Sequence, residues 1–502
     1  MRNTSNSIRV QKVFLIGLCL MILMVAPEVI SQTQTPNVVQ GFDGNIVSEN
    51  ATGVTIAGGG DFNNPNQALE SFVAIGGGAN NQASGRNATV SGGFGNQANG
   101  LRSAVAGGFN NLAVGDFSNV SGGRGNEVNG FISNINGGAN NSNHGQFSTI
   151  GGGRNNEVNG MESLIGGGAE NTVNGDNSTI AGGANNLINS ENVAIGGGGN
   201  HIASGQFATI AGGDGNIVSG LHATVGGGED NSALAEGSTV AGGANNAAGE
   251  LFASVGGGSG NQASGRSSVI SGGLSNQASG QASVISGGQS NVASGAFATV
   301  VGGTDNVAAG DFSVVLGQRA NVSEDHSGTL LFADTQGADF RSESADEFAV
   351  RARGGVRLVS SIDGQGNPES GVQLFPGSNS WSVLSDRQAK INVIPIDGQR
   401  ILELLNQIPI SQWQLKSQSE AILHIGPMAQ DFYAAFGFGE SERHLHSGDV
   451  DGVALVSIQA LYQHFQAQAE TIEQLWTENA QLRAQMDEVL LRLEALEYSK
   501  ES

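Results

Sequence analysis

Ser385 and Lys390 place a hydroxyl and a primary amine five residues apart, with Asp386 directly after the serine. A serine hydroxyl is a weak nucleophile that needs a base before it attacks a carbonyl carbon. A lysine can serve as that base only when burial or neighbouring groups lower its pKa. Serine and lysine are common at this spacing, and the same residues also fit a capping serine beside a solvated lysine. The spacing alone leaves both interpretations open.

Other side chains with chemical potential have simpler interpretations. His424, His444 and His446 suggest a metal site, but no cysteine and only loosely spaced carboxylates accompany them, which favours surface or structural histidines. The stretch 449–452 resembles part of a calcium loop and is more typical of a helix start. Gly-x-Gly-x-x-Gly strings arise by chance at this glycine content. We therefore predict no metal and no cofactor.

Composition and charge exclude several classes of protein. The 502 residues include 80 glycines, well above the usual share of about 7%. Only 5% are aromatic and 13% charged, which disfavours several ordinary globular cores. The glycines do not recur at every third residue, which excludes collagen. A net charge of −24 makes nucleic acid and anionic membrane surfaces poor partners.

The N-terminus has the features of an export signal. Arg2, Arg9 and Lys12 precede an apolar run over 13–25, which is too short to span a bilayer comfortably. We predict cleavage after Ser31, so that the signal peptide is 1–31. The only cysteine, Cys19, lies inside this run, and the mature chain is expected to lack thiols. A secreted or bacterial cell-surface protein without a membrane span follows from this pattern.

A strict repeat of 15 residues occupies the middle of the chain. Valine or isoleucine recurs at every fifteenth position from Ile75 to Val315, which gives (315 − 75)/15 + 1 = 17 repeats. Paired glycines follow two residues later in nearly every repeat. Asparagine follows six residues later, through to Asn321, with His201 as the exception. A constant period of this kind is the signature of a solenoid.

Each repeat predicts two short strands joined by tight turns, because the apolar and small residues alternate around glycines. One repeat carries only one or two large apolar residues, so stacking must bury the Val/Ile ladder. Stacked asparagines can hydrogen-bond along the solenoid axis. Six phenylalanines share the position three residues before the Val/Ile and suggest either packing at a coil edge or between chains, or a sugar-stacking stripe: Phe117, Phe147, Phe207, Phe252, Phe297 and Phe312.

The segments 73–76 and 193–196 both read Val-Ala-Ile-Gly and resemble the head repeats of trimeric autotransporter adhesins. The resemblance covers about 40–321 and implies a left-handed parallel β-roll with three chains side by side. This chain departs from the family pattern by an extra Gly-Gly in the turn and by asparagine in place of serine. No membrane-barrel strands follow the repeat, so we expect no autotransporter anchor.

The rest of the chain divides into three predicted parts after a solenoid of 32–321. A β-rich connector is predicted for 322–380, with a hairpin around Gly354 and Gly355. An α+β domain is predicted for 381–457, with an amphipathic helix at 398–407, a strand near Trp413 and a second helix after Pro427. Apolar residues alternate at spacings of three and four over 458–496, which predicts a coiled coil over 458–502.

The motif from Ser385 to Lys390 (SDRQAK) resembles the opening of endosialidase-type intramolecular chaperone domains, which are self-cleaving serine peptidase domains. The stretch from Ile425 to Asp431 (IGPMAQD) is similar to a later motif of the same family. The resemblance covers about 381–480. It implies assembly of three chains, a catalytic dyad of Ser385 and Lys390, and one cut at the Ser385–Asp386 bond. The heptads alone permit two chains as well as three.

Together these patterns predict a mainly β protein: a secreted trimeric fibre, adhesive or structural, whose C-terminal domain aids assembly and then cleaves itself. At most one turnover of autoproteolysis is expected, and a glycan or another surface ligand is a possible partner. The alternative is a tail-spike-like enzyme or binding protein for glycans. Such an enzyme needs carboxylates that interrupt the repeat, and the 17 uninterrupted repeats argue against it. A third alternative, an ice- or mineral-binding rod, would need a regular outward threonine array, which we do not predict.

Overall fold

The structure, a computed structural model, describes residues 35–500, which form two compact units divided between Ala352 and Arg353. The predicted signal peptide, including Cys19 and Ser31, lies outside the described residues. The first unit is a parallel β-solenoid of about 21 turns with coils of 15 residues, and this confirms the predicted fold class. The hand of the coil stays a prediction.

Nearly every coil contributes one short strand to each of two parallel sheets, and the strands pair with their equivalents in the adjacent coils. The strands of the first sheet are Val38–Val39, Thr55–Ile56, Ala74–Ile75, Thr89–Val90, Ala104–Val105, Asn119–Val120, Asn134–Ile135, Thr149–Ile150, Leu164–Ile165, Thr179–Ile180, Ala194–Ile195, Thr209–Ile210, Thr224–Val225, Thr239–Val240, Ser254–Val255, Val269–Ile270, Val284–Ile285, Thr299–Thr304, Val314–Gln318, Leu330–Ala333 and Phe348–Arg351. The strands of the second sheet are Ile46–Val47, Gln67–Ala68, Gln82–Ala83, Gln97–Ala98, Leu112–Ala113, Glu127–Val128, Ser142–Asn143, Glu157–Val158, Thr172–Val173, Leu187–Ile188, Ile202–Ala203, Ile217–Val218, Ser232–Ala233, Ala247–Ala248, Gln262–Ala263, Gln277–Ala278, Val292–Ala293, Val307–Ala308, Ala320–Val322 and Phe340–Arg341.

The predicted Val/Ile ladder is the core of this unit. All 17 residues of the ladder, from Ile75 to Val315, are buried. Burying one such side chain contributes about 1.5–3 kcal/mol, which is too little to order a single coil but accumulates with every stacked neighbour. Glycine is required where the coils approach most closely: Gly78 has φ +78°, and a Cβ there would lie 2.0 Å from the carbonyl oxygen of Gly93. The paired glycines therefore permit the stacking.

A buried asparagine ladder runs beside the apolar core, as predicted. The Oδ1 of Asn156 accepts the backbone N–H of Asn171 at 3.1 Å. The Nδ2 of Asn156 donates to the carbonyl oxygens of Gly152 and Gly168, both at 3.0 Å. Each asparagine thus joins the glycine corner of its own coil to the corner of the next. Backbone groups that no strand could satisfy obtain their hydrogen bonds in this way.

His201 replaces asparagine at one rung and is fully buried. Its Nδ1 accepts the backbone N–H of Asn216 at 3.1 Å, which places the proton of the neutral ring on Nε2. Burial lowers the pKa of His201 below its usual value, and the carbonyls of Gly197 and Gly213, together with Asp214, offset only part of that effect. The neutral ring is therefore the form that fits the ladder.

The regular ladder ends one coil earlier than the sequence predicts. The register shifts at Val301, because Leu316 pairs with Gly302. As a result Ala320, not Asn321, donates its backbone N–H to the Oδ1 of Asn306. Parallel pairing then continues to Arg351, which forms an ion pair with Asp334 at 3.0 Å. The solenoid therefore extends beyond the predicted limit at residue 321.

The predicted hairpin around Gly354 and Gly355 is wrong. Phe348–Arg351 pairs in parallel with Leu330–Ala333, and the hairpin is instead formed by Val356–Ile362 and Pro368–Leu374. The alternating apolar residues on either side of the glycines are typical of a hairpin. The first of these segments pairs with the preceding solenoid strand instead, because that strand is an unpaired edge of the parallel sheet.

The second unit begins with that hairpin, and Ser382–Val383 adds a third antiparallel strand. Its remaining elements are a 3-10 turn at Arg387–Ala389, helix α1 at Gly398–Leu405, strands Ile410–Trp413 and His424–Pro427, helix α2 at Ala429–Phe436 and helix α3 at Ser447–Tyr498. The two helices and the strand predicted from the sequence are present. Ile401, Ile408, Phe432 and Val453 form a small core between the three helices.

Most of helix α3 has no packing partner among residues 35–500. Val453, Ser457 and Ala460 are its buried residues, and all lie near its start. The apolar heptad residues beyond them are more than half exposed, as for Phe465 at 74% and Leu482 at 57%. An apolar stripe of this length on a single helix is typical of a coiled coil whose partner helices come from other chains.

Replacement of Asn156 by alanine is expected to destabilise the solenoid locally by about 2–4 kcal/mol, because it leaves several buried backbone groups unsatisfied. Hydrogen exchange of the neighbouring coils measures this effect. Asn159→Ala is the matched control in the same coil, since the side chain of Asn159 is exposed and bonds only other side chains. Equal exchange in the two variants would contradict the structural role of the ladder.

Acid is expected to weaken the solenoid at His201. Because the pKa is lowered in the folded chain, the unfolded chain binds more protons, and stability is lost as the pH falls below about 6.5. His201→Asn should remove this loss, measured as the difference in thermal unfolding between pH 7.5 and pH 5. His222→Asn, at an exposed site with φ +56° that asparagine tolerates, is the control. A His201→Asn protein that keeps the wild-type pH dependence would contradict the assignment.

Candidate functional site

A short turn brings Ser385 and Lys390 together. The side chain of Asp386 accepts the backbone N–H of Gln388 at 2.9 Å and caps the 3-10 turn Arg387–Ala389. The backbone N–H of Lys390 then bonds the carbonyl of Arg387 at 3.2 Å. One tight turn between two extended residues therefore accounts for the spacing of five, and Asp386 has a structural part in it.

The Nζ of Lys390 donates a hydrogen bond to the Oγ of Ser385 at 2.6 Å. This is the contact that a lysine base and a serine nucleophile require. Both residues are exposed in the single chain. The contact thus has the geometry of a dyad, while the desolvation that leaves a lysine neutral and able to accept a proton has to come from groups that cover this turn.

The residues just before Asp386 are held as a strand. Val383 pairs with Val372, and the backbone N–H of Leu384 donates to the carbonyl of Gly371 at 3.1 Å. Antiparallel pairing of this kind is how a peptide is fixed in extended form along a sheet edge. The hairpin therefore presents the bond after Ser385 at the end of an ordered strand.

Gly371 is the residue that sequence reasoning missed. It has φ +147°, and a Cβ on it would lie 2.3 Å from the carbonyl oxygen of Leu358 on the neighbouring strand. The hairpin register shifts beside it, between Val359 and Ser361. No short-range motif marks this glycine, because its role arises from a strand that returns about ten residues later.

An apolar cavity of about 170 Å³ adjoins this strand. Leu358, Val372, Phe375 and Leu384 contribute to its lining, and Ser385 lies at its edge. The cavity is formed within the second unit by the same hairpin that holds Leu384. It offers room for an apolar side chain beside the candidate nucleophile.

The second sequence motif forms a separate local structure. Ile425 and Gly426 lie on the strand His424–Pro427, and Ala429 begins helix α2. Across from this strand, Trp413 stacks on His424 with ring centroids 4.6 Å apart. Within residues 35–500, no hydrogen bond joins the motif to Ser385 or Lys390.

The histidines are not brought together as a metal site. His424 bonds Gln418 and His444 bonds Ser441, both at 2.8 Å, and His446 precedes helix α3. The part of the chain that the structure describes contains no group of three or more His, Cys, Asp or Glu residues that could hold a metal ion. The stretch 449–452 lies in the first turns of helix α3, as predicted.

The six repeat phenylalanines form a half-exposed edge of the solenoid. All six have φ between +57° and +59°, a conformation that bulky residues rarely adopt. Phe297 and Phe312 stack with centroids 5.1 Å apart, and the ring of Phe252 covers Gly237 of the preceding coil. The rings therefore pack along the coil edge, which was one of the two predicted uses of these residues.

A comparison with known protein families gives a match in the second unit. A family model described as the chaperone of endosialidase matches residues 385–438, which include both motifs noted in the sequence. No curated protein matches the chain. No helix within residues 35–500 is long and apolar enough to cross a membrane. The C-terminal unit is thus similar to this chaperone family, and the likeness of the repeats to adhesin heads stays a resemblance.

Gly371→Ala is expected to displace the strand at Ser382–Val383, because the added methyl group collides with backbone. The result should be faster hydrogen exchange of the Leu384 amide. Gly364→Ala in the hairpin loop is the control, since no atom lies within 4 Å of the place that its methyl group would occupy. Unchanged protection of Leu384 in the Gly371→Ala protein would show that this pairing is not held as the structure indicates.

Proposed function

We propose that the protein is an exported trimeric fibre whose C-terminal domain promotes assembly and then cuts the chain once at the Ser385–Asp386 bond. The hydrogen bond between Lys390 Nζ and Ser385 Oγ carries this proposal, supported by the family match that begins at residue 385. In this proposal, the fibre consists of 32–321 and the coils that follow. The chaperone and cleaving domain is 381–457, and the coiled coil is 458–502.

The exposed stripe of helix α3 supports assembly of several chains. Ile458, Leu461, Ile472, Leu475 and Leu493 are all at least half exposed at heptad spacing. Three chains follow from the matched family, whose resemblance implies trimers. Asn479 on the same stripe fixes the register of the helices at some cost in stability.

In the proposed chemistry, the Ser385 hydroxyl is the nucleophile and the Lys390 amine is the base. Lys390 Nζ accepts the proton of the Ser385 hydroxyl, and the Oγ attacks a carbonyl carbon. Attack on the Ser385 carbonyl breaks the C–N bond to Asp386, whose nitrogen takes a proton, and water then frees the Ser385 carboxylate. Attack on the Leu384 carbonyl breaks the preceding bond instead. In either case one water molecule is consumed and one peptide bond is lost.

Assembly supplies what the single chain lacks at this site. Lys390 is exposed in the single chain, and a neighbouring chain that covers the turn would desolvate the amine and favour its neutral form. Cleavage would then follow folding.

A surface location agrees with the N-terminal export pattern. The phenylalanine edge is the surface that we propose for a glycan ligand, since aromatic faces bind apolar sugar faces.

Ser385→Ala and Lys390→Ala are each expected to abolish cleavage while leaving a folded trimer. Wild-type protein should release a fragment of 502 − 385 = 117 residues, whereas attack on Leu384 would give 502 − 384 = 118. Intact-mass spectrometry separates the two, and light scattering reports the number of chains.

Lys416→Ala, at an exposed lysine of the same unit, is the control and should be cut like the wild type. Wild-type protein that stays whole after assembly would show that the domain is a retained trimerisation cap. Ser385→Ala protein that is still cut at this bond would show that the assignment of the dyad is wrong.

A further inference from the structure

One face of the solenoid carries only small or uncharged side chains. The first-sheet face is defined by the two residues that flank each buried Val/Ile of the ladder, such as Thr224 and Gly226 around Val225. The residue before the Val/Ile is half-buried or exposed, and the residue after it is exposed in the regular coils. Threonine, alanine, serine, glycine, valine and asparagine occupy nearly all of these positions, with two leucines, Leu164 and Leu316.

Charge is absent from this face over its whole length. Seventeen coils give 17 × 2 = 34 positions, and none holds Asp, Glu, Lys, Arg or His. Residues 72–321 contain 14 carboxylates and six arginines, all at other positions of the coil. The second-sheet face, by contrast, carries Glu127, Glu157 and His144 at its outward positions. The absence of charge therefore distinguishes the first-sheet face within one strongly acidic chain.

A second copy of the same chain is the partner that this pattern fits. Parallel copies in register place each residue opposite its own equivalent, so any charge on the shared face would meet a like charge, which is destabilising. A different partner could offer an opposite charge and would not require this exclusion. Small side chains in every coil also allow the sheets of neighbouring copies to approach closely around a common axis.

The area of the face is sufficient for a stable contact. Seventeen coils at about 4.8 Å each give a length of about 80 Å. With a width of about 10 Å for three residues of extended chain, the face covers about 800 Å², which is the area per partner in a typical stable complex.

We propose that the first-sheet face of residues 74–316 is the surface on which copies of this chain pack, parallel and in register. The proposal deepens the proposed function, on which the number of three copies rests. The second-sheet face and the phenylalanine edge then remain turned toward solvent.

Single cysteines test the proposal in the full-length chain with Cys19→Ala. Thr209→Cys, Thr224→Cys and Thr239→Cys lie at equivalent outward positions of three successive coils, and Ile217→Cys is the matched outward position on the second sheet. Oxidation should link chains of each threonine variant into dimers on a denaturing gel. Mixed assemblies of Thr209→Cys and Thr239→Cys chains should show no link between unlike chains, because the copies are in register.

Labelling with a bulky maleimide gives the second measurement. The Thr224→Cys protein should lose labelling when folded and regain it in denaturant, whereas Ile217→Cys should label in both states. Thr224→Glu should also prevent lateral packing of the solenoids, and Ile217→Glu should not.

If the first-sheet face instead binds a glycan or ice, or binds nothing, the folded Thr224→Cys protein will react with the maleimide and will form no disulfide-linked dimers. That result overturns the inference. If light scattering still shows a trimer that cleaves itself, the proposed function survives that result. A monomeric full-length protein overturns both.

Discussion

The asparagine ladder is the interaction on which the solenoid depends. A coil of 15 residues must turn several times, and each turn exposes backbone groups that no strand pairs. Asn156 and its equivalents satisfy a carbonyl in their own coil and another in the next, and they accept one backbone N–H as well. The same contact is made across a coil of 21 residues, between Asn45 and Asn66, so it fixes which backbone corners stack on one another. The buried Val/Ile residues contribute apolar free energy, but apolar contact alone leaves these backbone groups without partners.

The same constraint explains how much of the fold the sequence reveals. The positions of Ile75 to Val315 and of the asparagines repeat without insertion, so the coil, its inward residues and its ladder could be predicted. The early end at Asn306 could not, because Asn321 keeps its place in the sequence while the register shifts at Val301, where Leu316 pairs with Gly302. The wrong hairpin has a related cause. Local alternation around Gly354 is a short-range signal, and pairing with Leu330–Ala333 is a contact between coils.

At the candidate site, the sequence identified the two candidate catalytic residues, and the structure added the residues that position them. Ser385 and Lys390 were predicted from a resemblance, and their contact at 2.6 Å agrees with that prediction without testing their activity. Gly371 and the strand before Ser385 escaped prediction, since no residue near the serine indicates which strand it pairs with. The carbonyl of Gly371 meets Leu384 only after the chain has turned back between Leu374 and Ser382. Strand pairings between segments distant in sequence, such as this one, are determined by tertiary structure and leave no local sequence signal.

A uniform repeat creates a problem that its own interactions do not solve. Because each coil offers the same flat face and the same ladder, two chains displaced by one coil would lose only their end contacts. The free-energy difference between the correct and the displaced alignment is therefore small compared with the total. A non-repeating segment can set the alignment, since a displaced helix α3 would move Asn479 away from its equivalents and mismatch every apolar residue of the stripe. A chain built from near-identical coils thus has a physical reason to carry a domain whose sequence does not repeat.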